Sequence, residues 1–278
     1  MNSSLNAACE TAIVSFKNVR KKFKTIQGDL LALDDFTLDI AEGESIALLG
    51  SSGCGKSTLL RMLVGLDTDY EGSICVKGRP VKGIEQERGM VFQEHRLFPW
   101  LTVAKNIELG LLNEQLSTQE RQSKIADHVR LVGLDGFADS YPHQLSGGMA
   151  QRVSIARGLV SSPRILLLDE PFGALDANTR TQMQQELLRI RAESRITTIL
   201  VTHDIEEAIY IADRIILLAP RPGRIQKVIK VCEAHPRERT SFEFHRLQKE
   251  LLYTMTGDEA YAAETRRLES LSPSAIAL

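Results

Sequence analysis

The sequence is poor in the features that mark specialised classes of protein. It holds one tryptophan, and aromatic residues make up 5% of its 278 residues. Its four cysteines, Cys9, Cys54, Cys75 and Cys232, are scattered, with no C-x-x-C spacing. That excludes a zinc-ribbon framework and a disulfide scaffold, and points to a reduced, cytoplasmic chain. A chain of this length buries enough apolar surface to fold without such staples. Neither sign of charge dominates: 34 Lys and Arg face 36 Asp and Glu, for a formal net charge of −2. No broad basic footprint for nucleic acid is expected, and no nucleic-acid partner. Apolar runs are short. Residues 165–168 and 215–219 are strand-length, well below the roughly 18 residues that cross a bilayer. Residues 1–10 lack a basic stretch followed by an apolar block, so no secretory signal is expected.

What is present is an alternation of short apolar runs with helix-period segments. Residues 12–16 and 36–40 alternate apolar and polar side chains, as half-buried strands do, and Glu42-Gly43 is a turn signal. Residues 45–49 form a continuous small-apolar run, the pattern of a strand covered on both faces. After it, Leu59, Leu60, Leu63 and Val64 recur at helical spacing. Helix-period segments fill the middle third, at 102–112, 117–132 and 147–160, interrupted near Pro99 and Pro142. Strand patterns return at 165–168, 198–202 and 214–219, with a helical pattern over 178–193 between the first two. Such alternation predicts a parallel sheet with helices on both faces. The expected layout is an α/β core over 12–92 and 161–225, a helical insert over about 93–160, and a short extension over 226–278. In that extension Phe244, Leu247, Leu251 and Met255 are spaced for one amphipathic helix, and the last twenty or so residues read as a loosely held tail.

Two motifs carry phosphate chemistry. Gly50-Ser51-Ser52-Gly53-Cys54-Gly55-Lys56-Ser57 fits G-x-x-x-x-G-K-[ST] between the expected strand and helix. Glycines let backbone N–H groups turn toward phosphate oxygens, and the helix that follows points its positive end at them. Lys56 is expected to reach the β- and γ-phosphates, and the Ser57 hydroxyl to ligate Mg²⁺, with Thr58 beside it. Further along, Ile165-Leu166-Leu167-Leu168-Asp169-Glu170 is an apolar strand ending in two carboxylates, where open α/β sheets place their ligands. Asp169 is expected to hold Mg²⁺, and Glu170 to be the general base for the attacking water. Together they predict a P-loop NTPase that uses ATP and Mg²⁺. Cys54 lies inside the loop, so its oxidation would be expected to block ATP.

The remaining motifs resemble one family. Leu145-Ser146-Gly147-Gly148-Met149-Ala150-Gln151-Arg152 resembles the signature sequence of ABC-type ATPases, although Met149 and Ala150 depart from the commoner glutamine-rich form. Gln93 matches that family's Q-loop, Gly173-Ala174-Leu175-Asp176 its D-loop, and His203 its switch histidine. Phe23 stands where the family carries an aromatic that stacks on adenine. The stretches Phe92-Gln93-Glu94-His95-Arg96-Leu97-Phe98-Pro99-Trp100 and Pro171-Phe172-Gly173-Ala174-Leu175-Asp176 look most like bacterial importers, and the nitrate, sulfonate and taurine subgroup above all.

The resemblance implies a fold and a mechanism. The fold would be an ABC ATPase core with an N-terminal antiparallel β portion and an inserted helical subdomain. Gln93 would join the metal ligands Ser57 and Asp169, and His203 would contact the γ-phosphate. Ser146, Gly147, Gly148 and Asp176 would serve the ATP held by a second copy, so two chains would sandwich two nucleotides. Integral membrane permease subunits would dock near Gln93–Trp100, and a periplasmic or lipid-anchored solute-binding protein would act indirectly. The chain would then sit on the cytoplasmic side of the cell membrane and drive uptake of a small anion. Trp100 either packs inside the helical insert or borders the docking groove. The alternative is a soluble ABC-type ATPase of DNA repair or translation.

Overall fold

A computed structural model describes residues 12–26 and 28–257. Cys9, the N-terminal residues and the expected tail lie outside the described residues. Two sheets face each other across one helix. The larger has strand order β10-β9-β3-β8-β7-β6 and the smaller β2-β1-β4-β5. In the larger sheet β3 (Ser45–Leu49) is central, parallel to β8 (Thr197–Thr202) and β9 (Arg214–Leu218). β7 (Ile165–Asp169) lies beyond β8, and β6 (Arg88–Val91) closes that edge, both parallel. β10 (Ile225–Lys230) runs antiparallel to β9 at the other edge, so the sheet continues beyond residue 225.

The continuous apolar runs are explained by a division of side chains between two cores. Successive residues on a strand point to opposite faces. Ala47, Leu49, Leu166 and Leu168 join the cluster under the helical insert. Ile46, Leu48, Ile165 and Leu167 join the cluster shared with the small sheet. α1 (Lys56–Val64) fills the space between the sheets, burying Leu59, Leu60, Met62, Leu63 and Val64. The N-terminal strands are longer than the alternation suggests. β1 (Ala12–Thr25) and β2 (Gly28–Ala41) form a hairpin whose buried residues lie mostly toward its inner end, while the end near the turn is largely exposed. Register shifts break the pattern along β1, and its outer half carries Lys21, Lys22 and Lys24. β4 (Glu71–Val76) and the two-residue β5 (Arg79–Pro80) complete the small sheet, and like β10 they are too short or too polar to announce themselves.

The helical insert contains α2 (Val103–Glu108), α3 (Thr118–Leu131) and α4 (Gly147–Leu159). α2 is shorter than its apolar spacing suggests, because a 3₁₀ turn over Leu109–Leu111 follows it. Gly110 lies in that turn, where an added Cβ would sit 2.5 Å from the Arg157 carbonyl of α4. Trp100 is 69% exposed and therefore does not pack inside the insert. It stacks edge-on against Phe98, centroids 5.4 Å apart, at the surface.

α5 (Ala177–Ser194) connects β7 to β8, and α6 (Ile205–Ile211) connects β8 to β9. α7 (Phe242–Thr256) buries Phe244, Leu247 and Leu251 as its spacing predicts, and Met255 packs against the same cluster. Arg237 anchors the chain before it, donating to the Ile209 and Ala212 carbonyls at the end of α6. The α5–α6 contact holds a buried carboxyl, Glu207, which accepts from Gln184 Nε2 at 3.2 Å. Burial pushes this carboxyl up to about 7, against hydrogen bonds from Thr202 and Gln184 that lower it.

A folded-state value above the unfolded one means that this group favours the fold at low pH. The contribution is lost as pH rises through about 7. Glu207→Gln should therefore be more stable than the parent at pH 9, by up to about 3 kcal/mol. The advantage should shrink toward pH 5. Thermal melts across that range test it, and parallel parent and variant curves would remove Glu207 as the cause.

Candidate active site

The carboxyl ends of β3, β7 and β8 open at one edge of the large sheet, and the phosphate-binding motif sits there. β3 stops at Leu49, and the loop turns through Gly53 and Gly55, which adopt φ +78° and +95°. At Gly55, the N-cap of α1, a Cβ would also meet Leu33 Cδ2 at 2.6 Å, so space and backbone both demand glycine. Lys56 is 6% exposed, and its Nζ donates to the Gly50 carbonyl at 2.7 Å and the Ser51 carbonyl at 3.0 Å. The ammonium is thus held at the centre of the loop. Cys54 is 1% exposed, its sulfur packed where a Cβ on Gly50 would come within 2.9 Å. The thiol is a packing element of the loop and does not line the cleft.

Ser57 and Asp169 meet across the sheet, the Ser57 hydroxyl donating to Asp169 Oδ1 at 2.9 Å. Burial raises the Asp169 carboxyl above its ordinary range; the Ser57 hydrogen bond lowers it, and neighbouring Glu170 adds to the rise. The next residue, Glu170, adopts φ +47°, a conformation that side-chain-bearing residues rarely take. Its backbone N–H donates to the Val201 carbonyl at 2.9 Å, which fixes the turn. The carboxylate then meets two further residues named by the sequence motifs. Gln93 Nε2 donates to Glu170 Oε2 at 3.2 Å, and His203 Nδ1 lies 3.3 Å from Glu170 Oε1. Gln93 follows β6 and His203 follows β8, so neighbouring strand ends deliver all three.

A cleft of about 250 Å³ lies against this group. Its floor is Ser52, Gly53, Gly55, Lys56, Ser57 and Thr58, with Gln93 and Glu170 on one side. The opposite wall is Phe23, Leu30 and Ala32 of the hairpin. Phe23, 38% exposed, is paired with Leu30 across β1 and β2 and offers a flat apolar face. Arg221 also lines the cleft, with Nε donating to the Gly53 carbonyl at 3.2 Å. No motif pointed to Arg221. It is placed by the neighbouring turn, where Gly223 N–H donates to the Ala32 carbonyl at 2.9 Å and Gly223 O accepts from Asp34 N–H.

Ser146, Gly147, Gly148 and Asp176 do not line this cleft. They form a second group. Ser146 caps α4, its hydroxyl accepting from Met149 N–H at 3.2 Å. Asp176 caps α5, accepting from Thr179 N–H at 3.0 Å. A Cβ on Gly148 would lie 3.4 Å from the Ala174 carbonyl, so the two caps are neighbours. Met149 packs against the hydrophobic core and Ala150 is buried within it, which keeps both side chains away from the helix start.

Among the described residues no group of three or more His, Cys, Asp or Glu side chains could hold a metal ion. Nor is any helix long and apolar enough to cross a membrane. A metal at Ser57 and Asp169 would have two oxygen donors from the protein and need further oxygens from phosphate and water. That donor set fits Mg²⁺, which keeps water and phosphate ligands and favours carboxylate oxygen.

Comparison with known proteins identifies the family. The sequence pattern of the family described as "ABC transporter" matches residues 33–173. An uncharacterized ABC transporter ATP-binding protein of Methanocaldococcus jannaschii is 46% identical over 236 residues, covering 85% of this chain and 88% of that protein. The aliphatic sulfonates import ATP-binding protein of Bacillus subtilis is 46% identical over 232 residues, 83% of this chain and 90% of its own. Among solved structures, a dimeric bacterial ABC transporter cassette superposes with a TM-score of 0.73 at 34% identity, over 80% of this chain and 100% of its own. A dimeric post-hydrolysis cassette bound to ADP and phosphate gives 0.72, at the same identity and coverage. The chain is a member of the ABC transporter family and belongs to its ATP-hydrolysing cassettes.

Proposed function

We propose that the chain powers an importer of small sulfonates or related oxyanions, hydrolysing ATP at the cleft between Lys56 and Glu170. The observation that carries the catalytic reading is the Glu170 carboxylate, held between Gln93 and His203 beside the phosphate loop. ATP enters with its adenine against Phe23 and its phosphates over the N-terminus of α1. There the loop N–H groups, the helix dipole and Lys56 neutralise negative charge. Mg²⁺ at Ser57 and Asp169 would supply further charge neutralisation on the phosphates. Glu170 orients a water for attack on the γ-phosphorus and accepts its proton, while the bond to the β-phosphate oxygen breaks and ADP leaves. Gln93 and His203 hold the carboxylate at that position.

The second group of residues supports a head-to-tail dimer. Gly147 and Gly148 begin α4, and first-turn N–H groups have no acceptor within their own helix. Since one chain already has its own phosphate loop, these donors suit the γ-phosphate held by a second copy. The two solved cassettes reported above are dimeric. Exposed Phe98 and Trp100, on the segment that follows Gln93, provide the apolar surface for a membrane permease on the cytoplasmic face. Relatives from several Bacillus species are named for import of aliphatic sulfonates, which supports a sulfonate cargo over nitrate. None of the relatives reported above favours DNA repair or translation.

Replacing Lys56 by Ala should weaken ATP binding by at least about tenfold, the effect of losing one charged contact to phosphate. Fluorescent-nucleotide titration reads it directly, and unchanged affinity would remove Lys56 from the cradle. Glu170→Gln should abolish turnover and leave an ATP-bound dimer on gel filtration. A variant that elutes only as monomer with ATP would sink the sandwich. For cargo, cells lacking this chain should lose uptake of a radiolabelled alkanesulfonate and regain it with the parent gene but not with Lys56→Ala. Retained sulfonate uptake with loss of nitrate uptake would reassign the solute.

A further inference from the structure

Gln184 of α5 is 1% exposed, and both ends of its amide are engaged. Nε2 donates to Glu207 Oε1 at 3.2 Å, and Oε1 accepts from Arg239 Nη2 at 2.5 Å. Arg239 belongs to the stretch that leads from β10 into α7, outside the sheet that builds the nucleotide cleft. Its guanidinium lies over the Tyr210 ring, 4.4 Å from the centroid, and 3.7 Å from Glu206. On the other side of the contact, the backbone of Glu207 is tied to the turn that leaves β8. Thr202 Oγ1 in turn accepts from Asp204 N–H at 3.0 Å, and Asp204 Oδ1 caps the Glu207 N–H at 3.1 Å. Thr202 and Asp204 flank His203. The turn that presents His203 to Glu170 is therefore fastened from behind to the first turn of α6, whose buried Glu207 carboxyl is held by an amide gripped by Arg239.

We propose that Arg239 is a positioning residue for ATP hydrolysis, fixing the His203 turn through Gln184 and Glu207. The inference rests on the roles of Glu170 and His203 given above. The amide is the component that carries direction. A guanidinium only donates, so Arg239 meets Gln184 at its oxygen and forces the NH₂ group toward Glu207. With Arg239 gone, the buried amide oxygen is left without its donor, and the amide loses the contact that fixes its orientation. An amide free to turn holds Glu207 less firmly, and the Thr202–Asp204 turn that caps Glu207 loosens with it. The phosphate cradle is on other strands and stays as it was. The consequence is a fall in turnover with nucleotide binding retained.

The test compares the parent, Arg239→Ala, Gln184→Ala and the double variant, all as the full chain, below the melting temperature of the least stable. Each single variant should lower kcat about tenfold with KM for ATP within about twofold, and the double should fall no further than the worse single, as for residues acting in series. Multiplying losses, or an Arg239→Ala chain with parental kcat, would overturn the proposal and leave Arg239 a packing residue. A second readout does not need activity. Amide hydrogen exchange over residues 202–206 should accelerate in Arg239→Ala while the phosphate loop keeps parental protection. Unchanged exchange at that turn also overturns it. If Glu170→Gln hydrolyses ATP like the parent, the assignment of Glu170 fails instead, and exchange at 202–206 still decides whether Arg239 holds the turn.

Discussion

The architecture depends on one constraint: β3, β7 and β8 are covered on both faces, so their polar chemistry can lie only at their ends. A buried backbone or side-chain polar group without a partner is costly. Along β7 every residue from Ile165 to Asp169 is buried, and the first polar side chain is Asp169, which meets the Ser57 hydroxyl. β3 likewise runs apolar from Ile46 to Leu49, and its first charged neighbour is Lys56, satisfied by loop carbonyls. Parallel strands put these ends on the same edge. The convergence of Lys56, Ser57, Asp169, Glu170 and His203 is thus a result of burial, with chemistry placed where burial stops.

This also explains how much was legible beforehand. Residues at the ends of apolar runs announce themselves, because the run gives the strand and the polar residue gives the edge. Ser57, Asp169, Glu170 and His203 were found in this way or by motif, and the structure brings them into one chain of contacts. Arg221 follows β9 without any motif, and it reaches Gly53 only because the turn at Gly223 packs against the hairpin. Nothing local in a sequence encodes contact between residues so far apart. The outer half of the β1–β2 hairpin was missed for a different reason. Lys22 and Lys24 are exposed there and Lys21 buries its ammonium against Asp67 and Asp69, so no apolar core enforces alternation. α6 was hidden by its seven residues, fewer than two full turns of periodicity.

The stretch beyond β10 contributes more than a terminal helix. Arg237 is 5% exposed and satisfies carbonyls at the C-terminal end of α6, where helices leave acceptors without intrahelical donors. Arg239 then enters the α5–α6 contact from the same side. Two arginines separated by one residue thus brace a short helix that follows His203, Arg237 at its C-terminal carbonyls and Arg239 through Gln184 and Glu206. A helix of that length has little stability of its own, and tertiary contacts have to supply it. The length and composition of α6 make its position dependent on the extension.

A comparable dependence joins the cleft to the surface that carries Trp100. The chain from Phe92 to Thr102 has no long regular structure, yet its carbonyls are systematically bound by side chains of the helical insert. Gln151, 1% exposed, donates to the Phe92 carbonyl, and Arg157 donates to the carbonyls of His95 and Arg96 at 3.0 and 2.9 Å. Asn106, fully buried, donates to Phe98, Leu101 and Thr102 carbonyls and accepts from Phe98 N–H. An irregular segment gripped at this many points moves with the helices that grip it, not as an independent loop. Gln93 is at one end of that segment, bonded to Glu170, and Trp100 is near the other. Any displacement of Gln93 that accompanies a change at the γ-phosphate must therefore be shared with α2 and α4, and so with the exposed aromatic pair. On the function proposed above, coupling between nucleotide and surface would run through this gripped segment, with Gln151, Arg157 and Asn106 setting its stiffness.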